Sequence, residues 1–305
     1  MQAAVFRQVG GPEVLTWGRI ETPEAGPGEV RVRVRAAGVQ PIDCAVRAGV
    51  MPAGATPTLP TLPAVPGNEF AGTVDQVGAG VTGIAVGDEV LGFGFMNAAA
   101  EYVAVPAEQV TAKPAAMPWE VAGGFSGAAQ TAHIALDQIR PGPGETLLVH
   151  GAAGAVGAVA VQLALRAGAR VVGTASVANQ EYLRSLGAVP VVYGGHLADH
   201  LRTLLPEGVD AVLDGAGGEA LTLSLALCPD RSRILTLTAH ARAVDLGIRT
   251  TPNLRSAARL AALADLYAAG DLRFPIRRTY PMARAADAHR EVETGHGRGK
   301  VVLVA

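Results

Sequence analysis

The residues that speak most directly to chemistry lie between 147 and 157, where the chain reads Leu147-Leu148-Val149-His150-Gly151-Ala152-Ala153-Gly154-Ala155-Val156-Gly157. An apolar run suited to a strand breaks into glycines at 151, 154 and 157, and a helix-forming run follows from Ala158 to Ala167. Backbone N–H groups at a helix start, with the positive end of the helix dipole, make a seat for a diphosphate. Gly154 would let the diphosphate come close to the backbone, and Gly157 would let the helix pack on the strand. The dinucleotide fingerprint wants glycine where Ala152 stands, so the turn alone is a weak signal and gains force only among strand–helix repeats. Gly-Ala packing at a helix start, with no ligand, is the plain alternative.

The strand after this turn ends Val171-Val172-Gly173-Thr174-Ala175-Ser176. An acidic residue at that tip would bind the ribose hydroxyls of NAD and repel a 2′-phosphate. None is present, which favours NADPH. Ser176 and Gln180 are the candidate donors to its phosphate, although no Lys or Arg stands at the tip.

The elements that must hold this turn can be read on either side of it. Val30 to Arg35 alternates apolar and basic residues, the mark of a half-exposed strand. Gly72-Thr73-Val74 and Glu89-Val90-Leu91 read as further strands, and Pro52 to Pro66 as a surface loop. From Lys113 onward helices begin. Strand runs at Arg170–Gly173, Val189–Tyr193, Val209–Leu213 and Ile234–Leu237 alternate with helical segments, which implies βαβ units around a buried parallel sheet. A helical period follows over Leu254–Ala269, and a closing strand over Val301–Val304. The fold class is therefore α/β, a β-rich part joined to a doubly wound parallel-sheet part.

Composition narrows the classes of function. The 305 residues carry 49% hydrophobic and 17% charged residues and a formal net charge of -2, so neither disorder nor a basic nucleic-acid or membrane surface is expected. The two cysteines, Cys44 and Cys228, exclude a disulfide framework and a four-cysteine zinc site. The uncharged window Thr146–Leu165 is broken by the glycine turn and reads as strand and helix rather than a membrane span. With no secretory signal at Met1–Gly11, a cytoplasmic protein is expected.

Several ordered motifs resemble the zinc-free, quinone-oxidoreductase-like (zeta-crystallin-like) branch of the medium-chain dehydrogenase/reductase superfamily. They are Ala37-Gly38-Val39-Gln40-Pro41-Ile42-Asp43, Pro66-Gly67-Asn68-Glu69-Phe70-Ala71-Gly72-Thr73-Val74, Gly87-Asp88-Glu89-Val90, Gln130-Thr131-Ala132, Ala152 to Gly157, and the tail Gly295 to Leu303. The resemblance implies a GroES-like catalytic domain over 1–117, completed by 252–305, and a Rossmann NADPH-binding domain over 118–251. It implies that Gln40 and Asp43 are polar groups beside the nicotinamide. Thr131, Gly151, Ala152, Ala153, Gly154, Ala155, Val156, Gly157, Ser176, Gln180, Tyr193 and Gly215 would contact the cofactor. Local structural roles are the alternative for Asp43, Thr131, Ser176 and Gln180.

Zinc relatives place a Cys and a His where this chain has Gln40 (or its neighbours) and Asn68, and amides are not zinc ligands, so no metal is expected. Asn68 and Glu69 read as scaffold. Without a Lewis acid, a conjugated acceptor is the easier substrate, because it already delocalises the charge that hydride brings. The resemblance thus implies NADPH-dependent reduction of a quinone or enone, a small-molecule partner. Ala45 stands where many relatives carry an aromatic ring; Tyr102, Phe93 and Phe95 are possible substitutes. An enoyl-thioester reductase and a non-catalytic NADPH sensor are the alternatives. A homodimer is also implied, with Asp245–Thr250 as the candidate edge strand.

Overall fold

The computed structural model describes residues 1–50 and 60–305. The expected loop at Pro52–Pro66 lies largely outside the described residues; its last part is tied down where Ala64 bridges Phe6.

The chain opens with a hairpin-like pair, β1 (Gln2–Val5) and β2 (Thr16–Arg19), and continues through β3 (Glu29–Val39), α1 (Pro41–Arg47), β4 (Glu69–Val77), β5 (Glu89–Phe93), β6 (Tyr102–Pro106), β7 (Val110–Ala112) and α2 (Trp119–Ile139). The middle alternates: β8 (Thr146–His150), α3 (Ala155–Arg166), β9 (Arg170–Ala175), α4 (Gln180–Ser185), β10 (Val189–Val192), α5 (Leu197–Leu204), β11 (Ala211–Asp214), α6 (Gly218–Leu227), β12 (Ile234–Thr236) and α7 (His240–Leu246). The tail is α8 (Ala257–Ala268), β13 (Ile276–Pro281), α9 (Ala285–Glu293) and β14 (Lys300–Val304).

Two compact units result. Unit 1 holds Met1–Gly127, Arg255–His296 and Lys300–Ala305; unit 2 holds Ala128–Leu254 and Gly297–Gly299. The division falls inside α2, after Gly127, where the sequence reading placed it just ahead of that helix.

Unit 1 is built on a seven-stranded sheet in the order β13-β14-β3-β4-β5-β7, with β6 also paired to β3. All pairings are antiparallel except β13 with β14. The alternation in β3 explains its place. Val30, Val32 and Val34 are buried in the core, while Arg33 and Arg35 face water. Arg31 is held by Asp75, with Nε–Oδ1 at 3.0 Å and Nη2–Oδ2 at 3.0 Å. The basic face of this strand is therefore a solvated and ion-paired surface.

Unit 2 is the parallel sheet. Its order is β10-β9-β8-β11-β12, and every pair is parallel. Leu147, Leu148 and Val149 are fully buried, as a strand covered on both faces requires. One expectation is corrected here. The candidate edge strand at Asp245–Thr250 is shorter than expected: Asp245 and Leu246 end α7, which Gly247 closes in the left-handed region, φ 66°. That leaves only a short stretch to reach the sheet, where Arg249 bridges Leu235 in parallel.

Candidate functional site

In unit 2 the glycine turn forms where β8 gives way to α3. Gly151 takes φ 72°, a conformation that glycine adopts without strain. Gly157 is required for a different reason: a Cβ there would lie 2.4 Å from the Gly151 carbonyl oxygen and 2.7 Å from Ala152 Cα. Gly154 caps α3, and its N–H donates to the Gly151 carbonyl at 3.0 Å. Ala155, Val156 and Gly157 form the first helical turn, so their N–H groups have no intrahelical acceptor. Ala152 and Ala153 are buried beneath the turn. Ala152 N–H donates to the Thr174 carbonyl at 3.0 Å, which fixes the turn to the neighbouring strand.

The base of the turn is polar, and His150 Nε2 there is buried with no hydrogen-bond partner among the described residues. His150 is buried, and its Nδ1 lies 3.1 Å from Thr174 Oγ1. Burial pushes the imidazole down to about 4, so the ring is neutral at physiological pH. Gly215 N–H donates to the His150 carbonyl at 3.1 Å, which brings Gly215 to the turn. Neither His150 nor Thr174 stood out in the sequence, because each reads as an ordinary polar residue at a strand end.

The tip of β9 gathers three more of the expected residues. Ser176 follows the strand, and its Oγ accepts from Asn179 Nδ2 at 3.0 Å. Tyr193 N–H donates to the Ala175 carbonyl at 3.3 Å, and its side chain is exposed. Gln180 is buried, and its Nε2 donates to the carbonyls of Ala175 (3.0 Å), Ser176 (3.2 Å) and Val191 (3.3 Å). Its amide protons are thus committed to the loop, and Gln180 shapes the tip instead of presenting a donor outward. Thr131 sits on α2, half-buried, within unit 2.

Unit 1 holds a second polar cluster. Gln40 precedes α1, and its N–H donates to Asp43 Oδ2 at 2.8 Å. Gln40 Nε2 donates to Glu69 Oε1 at 2.9 Å. The same carboxylate oxygen meets Lys300 Nζ at 2.5 Å, and Glu69 Oε2 accepts from Gly127 N–H at 2.5 Å. Asn68 Nδ2 donates to Asp43 Oδ1. Asp43, Asn68, Glu69 and Lys300 are all buried. Glycines clear the room: a Cβ at Gly38 would lie 2.3 Å from Glu69 Oε1, and one at Gly127 would lie 2.1 Å from Gln40 Nε2. Burial raises the Asp43 carboxyl to about 7, only partly offset by the Gln40 N–H and the Lys300 charge.

Lys300 is the member of this cluster that the sequence reading missed. The signal was available in the apolar run that follows it. Val301, Val302 and Leu303 bury both faces of β14, so a lysine opening that strand is buried on either face. Arg255 was missed as well; it stacks 5.0 Å from the Phe93 ring, with Nη1 3.4 Å from the Asn68 carbonyl. Phe93 is thereby buried beneath a cation, and Ala45 keeps no aromatic ring at its position.

Comparison with known proteins gives these features a family. A profile described as an alcohol dehydrogenase GroES-like domain matches residues 26–115, and one described as a zinc-binding dehydrogenase matches residues 186–303. The residues here do not fit the metal in the second description. Gln40 and Asn68 offer amides, and Glu69 already accepts from the Lys300 ammonium. Among the described residues no three of His, Cys, Asp and Glu converge as a metal site. The chain is 34% identical to a quinone oxidoreductase of Pseudomonas aeruginosa over 98% of each protein. It superimposes on the quinone oxidoreductase of Coxiella burnetii with a TM-score of 0.90 at 32% identity, covering 100% of this chain and 99% of that one. A mycobacterial protein complexed with NADPH matches with a TM-score of 0.86 at 32% identity, over the full length of both. At 33% identity, 95% of the chain also matches a segment of the polyketide synthase GfsB of Streptomyces halstedii, spanning about 5% of that protein's length. Whole-length identity, the GroES-like and parallel-sheet units and the glycine turn agree: the chain belongs to the quinone-oxidoreductase family of the medium-chain dehydrogenase/reductase superfamily.

Proposed function

We propose that the chain is an NADPH-dependent, zinc-independent reductase that passes hydride to a quinone or an enone. The observation that carries this reading is the glycine turn of unit 2, whose first-turn N–H groups have no intrahelical acceptor; unit 1 adds a polar cluster of the Gln40 amide and the lysine-paired Glu69 carboxylate. NADPH, when bound, supplies the hydride. The first-turn N–H groups of residues 155–157 hold its diphosphate, and Ser176 and Tyr193 border the adenosine end.

In unit 1 the Gln40 amide has one N–H engaged by Glu69 and a second available to an acceptor carbonyl. Such a donor stabilises the enolate or hydroquinone oxygen that hydride addition creates. Glu69, held by Lys300 and Gly127, orients that amide. Asp43 receives the Gln40 N–H and fixes the start of α1.

Among the described residues no helix is long and apolar enough to cross a membrane. The same reading places the protein in the cytoplasm as a homodimer, which light scattering at twice the 31.0 kDa chain mass would bear out.

Steady-state oxidation of NADPH and NADH with a panel of quinones, simple enones and crotonyl-CoA tests the activity. Turnover with quinones or enones at a marked preference for NADPH is expected. No consumption of NADPH with any conjugated acceptor would overturn it. The match to a segment of a polyketide synthase favours one second reading, an enoyl-thioester reductase. Activity on crotonyl-CoA with none on quinones would select it.

A further inference from the structure

We propose that Arg255 sets the substrate class: among conjugated acceptors it selects an enone that carries its own carboxylate, a 4-oxo-2-enoic acid. This rests on the enone-reductase reading above and narrows the substrate of that same site. Arg255 belongs to unit 1, as do all the side chains of the Gln40 cluster.

Glu69 and Phe93 stand directly opposite each other where β4 pairs with β5. Opposed residues of an antiparallel pair point to the same face of the sheet, with Cβ atoms about 5 Å apart. On that face the Glu69 carboxylate holds the Gln40 amide at 2.9 Å. The Arg255 guanidinium carbon lies 5.0 Å from the centroid of the Phe93 ring. A neutral donor and a cation are therefore carried by neighbouring side chains of one face.

The guanidinium is half-buried, and among the described residues no carboxylate pairs with it. Its Nη1 reaches the Asn68 carbonyl only at 3.4 Å, and that carbonyl already accepts from Gly94 N–H at 3.2 Å. The acids whose charge reaches it through space are Glu69 and Asp43. Glu69 is held by Lys300, Gln40 and Gly127, and Asp43 by Asn68 and the Gln40 N–H. Helix stability does not ask for a cation here either. Arg255 immediately precedes Ser256, the N-cap of α8, where the helix dipole disfavours positive charge. An anion at this place offsets the cost of withdrawing the guanidinium from water. Stacking on Phe93 holds the guanidinium plane and leaves N–H groups at its edge to fork onto a carboxylate.

A 4-oxo-2-enoate answers both groups. Its ketone oxygen accepts from the Gln40 amide, and its carboxylate, on the other side of the C=C bond, meets Arg255. Hydride from NADPH adds to the alkene carbon β to the ketone. The C=C electron pair moves toward the ketone oxygen as an enolate, and a proton from water at the α carbon gives the saturated oxo acid and NADP+. A quinone brings no such anion.

The test follows NADPH oxidation with trans-acetylacrylate, its methyl ester and 3-penten-2-one in the wild type, Arg255→Gln and Arg255→Lys. In Arg255→Gln the acid-to-ester ratio of kcat/KM falls about 10- to 100-fold, mainly through KM, the loss of one charge-assisted contact. Arg255→Lys recovers part of the ratio, and high salt lowers it in the wild type. Levulinate, the saturated product, inhibits wild-type reduction of 3-penten-2-one about tenfold more tightly than methyl levulinate does. An unchanged ratio in Arg255→Gln, with acid and ester falling together, would reduce Arg255 to a brace between Phe93 and Asn68 and overturn the proposal. Levulinate no better than its ester would overturn it from the wild type alone, even if the variants fail to fold. Turnover of 3-penten-2-one alongside either result leaves the reductase reading standing. If the wild type oxidises NADPH with none of the three acceptors, that reading fails, and the proposal falls with it.

Discussion

Asp43 shows how much one side chain's behaviour depends on partners far away in sequence. In water its carboxyl would ionise near 4, but burial raises it to about 7 in the fold. At pH 4 to 7 the folded protein keeps this proton and the unfolded chain releases it. The folded state then binds more protons, so raising the pH through that window removes stability, by at most about 1.4 kcal/mol per pH unit. The contribution is complete below about 4 and fully lost above 7. Asp43→Asn cannot titrate, and its side-chain oxygen can still accept the Gln40 N–H. The stability of the wild type relative to this variant should therefore fall steadily from pH 4.5 to 7 and level off above, as read by urea unfolding at stepped pH. A flat difference across the range would show that the carboxylate is already ionised in the fold. The sequence marks Gln40 and Asp43 as polar residues in a family-like motif. It does not show that Asn68, Glu69 and Lys300 meet them, because those contacts span 25 residues or more and are made only when β4 and β14 flank β3.

Elements were legible where a periodic pattern had one dominant solution. The alternation in β3 and the uniformly apolar run of β8 each bury as their period demands. Legibility was partial at α7: its last residues and the αL Gly247 take up the start of the edge strand expected at Asp245–Thr250, while Arg249 pairs with β12 at the sheet edge. Short segments of this kind are settled by which neighbour can pair, and β12 offers only three residues. The glycine turn falls between these cases, because its three glycines have different duties. Gly157→Ala drives a Cβ to 2.4 Å from one backbone atom and 2.7 Å from another, neither of which can move aside without shifting β8 or α3. That variant should lose about 1–3 kcal/mol of stability. Gly154→Ala meets only the Gly151 oxygen at 3.3 Å, at an ordinary extended φ of −68°. Its stability should change by no more than about 0.5 kcal/mol, while its NADPH affinity drops because the new methyl stands in otherwise open space at the diphosphate seat. Urea midpoints and fluorescence titration separate the two. A Gly154→Ala protein that binds NADPH like the wild type would remove residue 154 from the cradle.

At the largest scale, two separate apolar clusters lie among the described residues. One gathers β1, β3, β4, β6 and β14 with part of α9, and the other gathers β8 to β12 with α5 and α6. The alternating middle and the β-rich ends foretold that arrangement. What pattern could not foretell is that Gly297–Gly299 leave the C-terminal part of unit 1 to join unit 2, where Gly299 bridges Gly154 and its N–H donates to the Ala153 carbonyl. The division has an energetic consequence. A ligand that binds only the folded state stabilises it by about 2.7 kcal/mol when present at 100 times its Kd. The seat proposed for the diphosphate, residues 151–157, lies in unit 2, so on that proposal NADPH should raise amide-exchange protection across β8, β9 and β11 by about 100-fold. Protection of β1 and β2, which pair with each other in unit 1, should change far less. Exchange followed by mass spectrometry with and without NADPH reads both sets of peptides in one experiment. An equal rise in the two would mean that the chain opens as one cooperative block. No rise in β8 and β9 would mean that the turn between residues 151 and 157 is not where the dinucleotide rests.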